Sequence, residues 1–288
     1  MTDPTALVLL AFTFAIGAAI GSFLNVCIAR WPAEQSVVSP RSRCPGCGHE
    51  IRWYENVPIF SWLALRGRCS GCHGSISSQY LLVELLVALG WVAAVWAFGP
   101  TFTALRVAVF GTIMVGIAIT DALHYLIPDG FTVFGLLWVL GTAVGVALLA
   151  DPSALAADAA AAGSPFAGPA DALLGACAAA GAIAIVGWLG EAALKKEAMG
   201  FGDVTLMAVV GAAVGPWLGL LTVFVGAFLA AVIFPIAVLP VAWARARRAG
   251  RPFEVPQVPF GVFLAPAALL TLLWGRELVD WYMLRFLG

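Results

Sequence analysis

Residues 217–242 read WLGLLTVFVGAFLAAVIFPIAVLPVA, twenty-six positions without one Asp, Glu, Lys or Arg. A bilayer core takes about 20 apolar residues per helix. A helix also satisfies its own backbone polar groups, as lipid demands. The stretch is therefore predicted to span a membrane. Working outward, seven more apolar stretches are predicted at about 6–29, 80–98, 102–120, 130–150, 171–190, 203–215 and 261–283. The one at 203–215 is short and stops at the Gly215-Pro216 breaker, so seven and nine are the neighbouring counts. The expected fold is all-α, a polytopic transmembrane helix bundle of about eight spans.

Composition agrees with that reading. Of 288 residues, 62% are hydrophobic and 11% charged, where soluble domains carry about 25% charged residues. The net charge of −1 offers no basic field for nucleic acid, so membrane lipid is the expected surrounding and nucleic acid is not a partner. Asp3 stands where a secretory leader would be positive, and no small-residue cleavage site follows the first apolar run. That run is expected to stay as a helix over 1–29. No internal repeat is evident by this reading.

Twelve of the fifteen Lys and Arg fall in three segments: Arg30, Arg41, Arg43, Arg52, Arg66 and Arg68 in 30–79, Lys195 and Lys196 in 191–202, and Arg245, Arg247, Arg248 and Arg251 in 243–260. Cytoplasmic loops collect such charge. Eight spans with the N-terminus outside put all three on the cytoplasmic side. The Ala-rich stretch 151–170 has no Lys or Arg and reads as a linker broken by Pro152, Pro165 and Pro169. Segment 245–260 is basic, then Pro-rich, and is expected to lie along the cytoplasmic surface. The organisation expected is a first helix (1–29), a cytoplasmic domain (30–79) and the remaining bundle (80–288).

Fifty residues bury too little core to order themselves without a staple. Segment 30–79 contains one: Cys44-Pro-Gly-Cys47 and Cys69-Ser-Gly-Cys72, with twenty-one residues between the pairs. Two residues between thiolates let one turn aim both sulfurs at one ion, and a second turn completes a tetrahedral zinc site. Gly46, Gly48, Gly71 and Gly74 fit such turns. Disulfides are the bland alternative, disfavoured in a reducing cytoplasm, and a redox dithiol is the sharper one. His49 and His73 read as surface residues. Cys27 and Cys177 lie in apolar spans and read as packing residues.

Carboxylates in or beside spans are costly and point to function. Asp121 closes the third stretch, Asp129 follows in Leu126-Ile127-Pro128-Asp129, and Asp203 closes Met199-Gly200-Phe201-Gly202-Asp203. In the orientation above all three lie at one depth, as a two-carboxylate site requires. Each also has a bland reading as a helix cap, strongest for Asp129 between Pro128 and Gly130. Glu84 and Glu191 sit near span ends and are expected to snorkel to the interface. Helix direction places Asp121 at a helix C-terminus and Asp203 at an N-terminus, which would assign a shared proton to Asp121.

In order along the chain, these segments resemble the type IV prepilin peptidase family of GxGD aspartyl proteases: Gly21-Ser22-Phe23-Leu24-Asn25-Val26, Arg30-Trp31-Pro32, Ser42-Arg43-Cys44-Pro45-Gly46-Cys47, Ile51-Arg52-Trp53-Tyr54-Glu55-Asn56-Val57-Pro58, Arg66-Gly67-Arg68-Cys69, Tyr80 with Val83-Glu84, the Asp121 to Asp129 segment, and Gly200-x-Gly202-Asp203. The resemblance implies cleavage of basic leaders from prepilins and pseudopilins at the cytoplasmic face, with Asp121 and Asp203 catalytic. The structural zinc on Cys44, Cys47, Cys69 and Cys72 is read from their spacing and not from the resemblance. The resemblance further implies N-methylation of the new N-terminus with S-adenosylmethionine, whose binding residues the sequence does not place. Two departures stand out, Thr205 where many relatives have Lys, and Phe260-Gly261-Val262 where many have Phe-Gly-Pro; neither is expected to touch the aspartate pair. The rival classes are a membrane thiol oxidoreductase and a non-enzymatic secretion-assembly scaffold.

Overall fold

The structure is a computed structural model that describes residues 4–150, 164–195, 199–253 and 255–286. Asp3, Lys196 and most of the predicted linker, Pro152 included, lie outside the described residues. The helices are α1 (Pro4–Arg30), α2 (Phe60–Ala64), α3 (Ser78–Phe98), α4 (Phe102–His124), α5 (Asp129–Ala150), α6 (Pro169–Leu194), α7 (Phe201–Val214), α8 (Pro216–Ile233), α9 (Leu239–Arg248) and α10 (Gly261–Phe286). The described residues contain no named strand, only two isolated bridges in the loop between α1 and α3.

All eight apolar stretches are helical. Seven helices are long and apolar enough to cross a membrane among the described residues. The exception is α7, whose 14 residues extend about 21 Å against a hydrocarbon core of about 30 Å. It ends as expected at Gly215, where φ is +85°, and Pro216 opens α8. A π-helical turn over Phe234–Val238 joins α8 to α9, giving one helix of 33 residues, Pro216–Arg248. At about 50 Å it outruns the bilayer core. Within 245–260, Arg245, Arg247 and Arg248 extend the helix, and the described residues from there to Pro259 form no further helix.

The chain divides into two compact units, 1–116 and 117–288. In the first, α1 lies on α3 through small residues, as helix pairs in lipid do. A Cβ added at Gly17 would lie 2.8 Å from the Ala88 Cα, and one at Gly21 2.8 Å from the Glu84 Cα. One turn further along the same stripe, the Asn25 side-chain amide donates to the Tyr80 carbonyl at 3.0 Å. Cys27 is buried as expected.

In the second unit α7 is the centre. Eight of its residues from Leu206 to Val214 are buried, under α5, α6, α8 and α10. Gly175 of α6 and Gly211 of α7 meet backbone to backbone, and Ala179 fills the space beside Gly211 and Gly219. Between α8 and α10, the Thr222 and Thr271 hydroxyls are hydrogen-bonded at 2.6 Å. Cys177 departs from expectation, because its position on α6 is exposed. Gly211→Val is expected to destabilise this unit by about 3 kcal/mol, the upper end for overpacking, since the nearest obstructing atoms are the Gly175 backbone and cannot turn aside. A melting temperature equal to wild type in detergent would contradict the packing described.

Candidate functional site

The loop between α1 and α3 is nearly coreless. From Trp31 to Ser77 only Gly67 and Cys69 are buried. It is built instead from two copies of one turn. In Ser42–Ile51 the Cys44 N–H donates to the His49 carbonyl (2.9 Å), Gly48 N–H to Cys44 (2.9 Å) and Ile51 N–H to Ser42 (3.0 Å). In Gly67–Ile76 the bonds recur as Cys69 to Gly74 (2.9 Å), His73 to Cys69 (2.9 Å) and Ile76 to Gly67 (2.7 Å). The isolated bridges, Arg43 with Glu50 and Arg68 with Ser75, match in the same alignment. This is an internal repeat that the sequence reading missed. Its signal was SRCPGCGHEI over GRCSGCHGSI, five identities in a window shorter than usual repeats.

The glycines also divide differently from expectation. Gly48 (φ +72°) and His73 (φ +56°) take the left-handed positions. Gly46 and Gly74 lie instead beside sulfurs, where an added Cβ would stand 3.9 Å from the Cys44 and Cys72 Sγ atoms and 3.3 Å from the Cys72 Sγ, respectively.

The repeat brings four sulfurs together. Cys44, Cys47, Cys69 and Cys72 place their Sγ atoms within 4.8 Å of one another, with Cys44–Cys72 and Cys47–Cys69 each at 3.9 Å. A tetrahedral centre with Zn–S of about 2.3 Å sets its sulfurs about 3.8 Å apart. The cluster could hold zinc. Electrostatics agree: backbone N–H groups of Cys47 and Gly46 draw the Cys44 thiol down to about 7. Against the pull of the His49 backbone N–H, burial and the neighbouring thiols push Cys47 up to about 12.

His49 is not a plain surface residue. Its Nε2 lies 3.1 Å from Glu55 Oε2 and 3.2 Å from the Ser70 hydroxyl, so it ties the first turn to the second. The Arg52 backbone N–H, with help from Ser70 and His49, holds the Glu55 carboxyl down at about 2. His73 is exposed, as expected.

In the second unit, Asp121 stands in the last turn of α4 and Asp203 is the third residue of α7. Asp121 is buried and Asp203 half-buried. The Val262 N–H, in the first turn of α10, donates to Asp121 Oδ2 at 3.2 Å. Gly261 lies against the same oxygen, where an added Cβ would come within 2.8 Å of Oδ2 and 3.0 Å of Ile127 Cδ1. Ile127 also packs on Gly202, whose added Cβ would lie 2.9 Å from the Ile127 Cβ.

Two sequence readings change here, and the space at Gly202 finds a use. Phe260-Gly261-Val262 does touch the pair, because the start of α10 supplies a backbone N–H to it. The small size of Gly202 is used by Ile127. Helix direction does not split the pair either, since α10 turns its own unpaired N-terminal N–H groups toward Asp121. No spacing in the sequence could show that, because Val262 is 141 residues from Asp121. Asp129 is exposed as the first residue of α5, consistent with the bland reading. The Thr205 hydroxyl donates to the Gly202 carbonyl at 2.9 Å, away from the carboxylates.

One more carboxylate departs from expectation. Glu84 does not snorkel. It is buried in the first unit, where its Oε2 accepts the Ile59 N–H at 2.7 Å. Ile59 is held at φ +65°, an uncommon angle for a β-branched residue. Nearby, Asn25 is 3% exposed and its Oδ1 is buried without a hydrogen-bond partner. A carboxylate on one helix and, one turn along the facing helix, a buried unpaired amide oxygen fit a positively charged ligand group, such as an ammonium or a sulfonium. Glu191, by contrast, is exposed.

Comparison with known proteins agrees with this layout. Residues 15–98 match a family model described as the bacterial peptidase A24 N-terminal domain, and residues 108–236 match one described as the type IV leader peptidase family. The chain is 36% identical to a prepilin leader peptidase/N-methyltransferase of Pseudomonas aeruginosa, over 100% of this chain and 97% of that protein. A relative of the same description from Aeromonas hydrophila is 33% identical over 96% of this chain and 94% of its own length. A third, from Myxococcus xanthus, is 40% identical over 79% of this chain, which spans 62% of that longer protein. No solved structure matches. With alignment along its whole length to such relatives, the chain belongs to the type IV leader peptidase family.

Proposed function

We propose that this chain is a multi-pass inner-membrane aspartyl endopeptidase that removes leader peptides from prepilins or pseudopilins and then N-methylates the new N-terminus. The observation that carries the peptidase reading is the Asp121 and Asp203 pair, carboxylates on α4 and α7 brought to one place by Ile127, which packs against Gly202 beside Asp203 and lies against Gly261 beside Asp121. Like charges at close range cannot both ionise readily, so the pair holds one proton between them. The ionised member takes a proton from water, and the protonated member gives one to the leaving amine. The Val262 N–H, bonded to Asp121 Oδ2, fixes one carboxylate while Asp203 rides on the first turn of α7. Asp121 is buried and Asp203 half-buried, which restricts the water that reaches them.

Charge distribution supports an N-terminus outside and an active site at the cytoplasmic face. There a basic leader stays in the cytoplasm while the substrate's apolar helix enters laterally. Cys44, Cys47, Cys69 and Cys72 would hold one structural zinc and order the 30–79 domain. S-adenosylmethionine, when bound, supplies an activated methyl group for the second step.

The test is to incubate the purified protein with a prepilin and S-adenosylmethionine, and to weigh the products. Loss of the leader and gain of one methyl group are expected. Intact substrate would overturn the reading. A scaffold would leave substrate whole, and an oxidoreductase would cycle its thiols with no bound zinc.

Gly261 provides a sharper check on the geometry. Gly261→Val is expected to lower leader cleavage about 100-fold, since the new Cβ displaces the Asp121 carboxylate it would otherwise overlap. Zinc content should not change. Cleavage at the wild-type rate in this variant would remove Asp121 from the site.

A further inference from the structure

Glu84, Asn25 and Ile59 form a polar cluster that cleavage by Asp121 and Asp203 does not use. Its members come from three separate parts of the first unit: α1, α3 and the loop. Asn25 is pinned to α3 through its amide N–H bond to the Tyr80 carbonyl. That bond fixes which end of the amide is which, because an oxygen facing the carbonyl would be repelled. The Oδ1 is thereby left buried as an unpaired acceptor. Tyr80 lies one helical turn before Glu84, and the Glu84 backbone rests against Gly21, one turn before Asn25. The cluster therefore presents an amide oxygen and a carboxylate on neighbouring turns. A carboxylate accepts at two oxygens with about four lone-pair sites, and the Ile59 N–H takes one of them.

Resting on the function proposed above, we infer that Glu84 and Asn25 receive the α-ammonium group of the freshly cleaved substrate and prepare it for methylation. An amine attacks only when deprotonated. Glu84 takes a proton from the ammonium while Asn25 Oδ1 accepts a second N–H and holds the nitrogen in place. The nitrogen lone pair then forms the C–N bond with the sulfonium methyl of S-adenosylmethionine. Cleavage of the C–S bond returns the sulfur as a neutral thioether. The product leaves as a secondary ammonium, and Glu84 passes its proton to solvent.

The Ile59 bond makes Glu84→Gln the informative variant, because glutamine still offers an oxygen to that N–H and keeps the loop attached. Two readouts separate the roles. In the first, prepilin and S-adenosylmethionine are supplied and products are weighed: Glu84→Gln should cleave at the wild-type rate but methylate about 100-fold more slowly. In the second, no methyl donor is present, and the full-length protein is titrated with cleaved substrate carrying either a free or an acetylated N-terminus. Wild type should prefer the free amine about tenfold, and both Glu84→Gln and Asn25→Leu should lose that preference. Undiminished methylation by Glu84→Gln would overturn the inference, as would equal loss of cleavage and methylation, or a wild type indifferent to acetylation. Failure of wild type to cleave or methylate at all would instead strike the proposed function.

Discussion

Asp121→Asn and Asp203→Asn are each expected to reduce leader cleavage by about 10³-fold or more, because each removes one member of a pair that must supply both a base and an acid. Asparagine keeps the shape of the side chain and can still accept the Val262 N–H that now goes to Asp121. Both variants should therefore insert, retain zinc and methylate substrate that has already been cleaved. Asp129→Asn is the control. Asp129 is exposed at the first position of α5, and asparagine caps a helix about as well as aspartate, so stability should change by less than about 1 kcal/mol and cleavage should persist. Product mass after single-turnover incubation measures all three. If Asp129→Asn were as damaging as the other two, the first aspartate of the pair would have been wrongly chosen.

Some of this was legible along the chain and some was not, for physical reasons. Spans are written in local composition, so all eight apolar stretches became helices, and α7 kept both its short length and its Gly215 stop. The thiolate pairs were legible because two residues between sulfurs is a local constraint. The start of α10 was not. Gly261 and Val262 carry no chemistry of their own, and their role comes from a backbone N–H and a missing side chain meeting Asp121 across the fold. Glu84 was misread for a related reason. A carboxylate near the end of a span ordinarily reaches outward to water, and nothing local shows that the Ile59 N–H turns it inward. Cys177 went the opposite way: between Asp171 and Glu191 α6 is apolar on every face, so sequence does not show which face meets lipid. The repeated turn escaped because its two copies share a hydrogen-bonding pattern more than a composition.

Zinc removal is expected to dissolve the order of the 30–79 domain while leaving the helices in place. Only Gly67 and Cys69 are buried between Trp31 and Ser77, so apolar burial does little against a backbone entropy of about 1–2 kcal/mol per ordered residue. What holds the segment are a few hydrogen bonds, the His49–Glu55 contact and the convergence of four sulfurs. A structural zinc contributes about 10–16 kcal/mol in small domains, which makes it the largest stabilising term available here. Cys44→Ser, Cys47→Ser, Cys69→Ser and Cys72→Ser should each lower zinc content well below one ion per chain and open the loop to protease. Cys177→Ser should do neither, because Cys177 stands alone on the exposed face of α6. The duplicated turn adds a finer expectation. A loss at Cys44 and a loss at Cys69 should be alike, since each removes the sulfur whose backbone N–H closes its own turn. The measurements are elemental analysis of protein purified without oxygen, followed by limited proteolysis with and without chelator. Metal-free protein with a protease-resistant loop would mean that something other than zinc orders the domain.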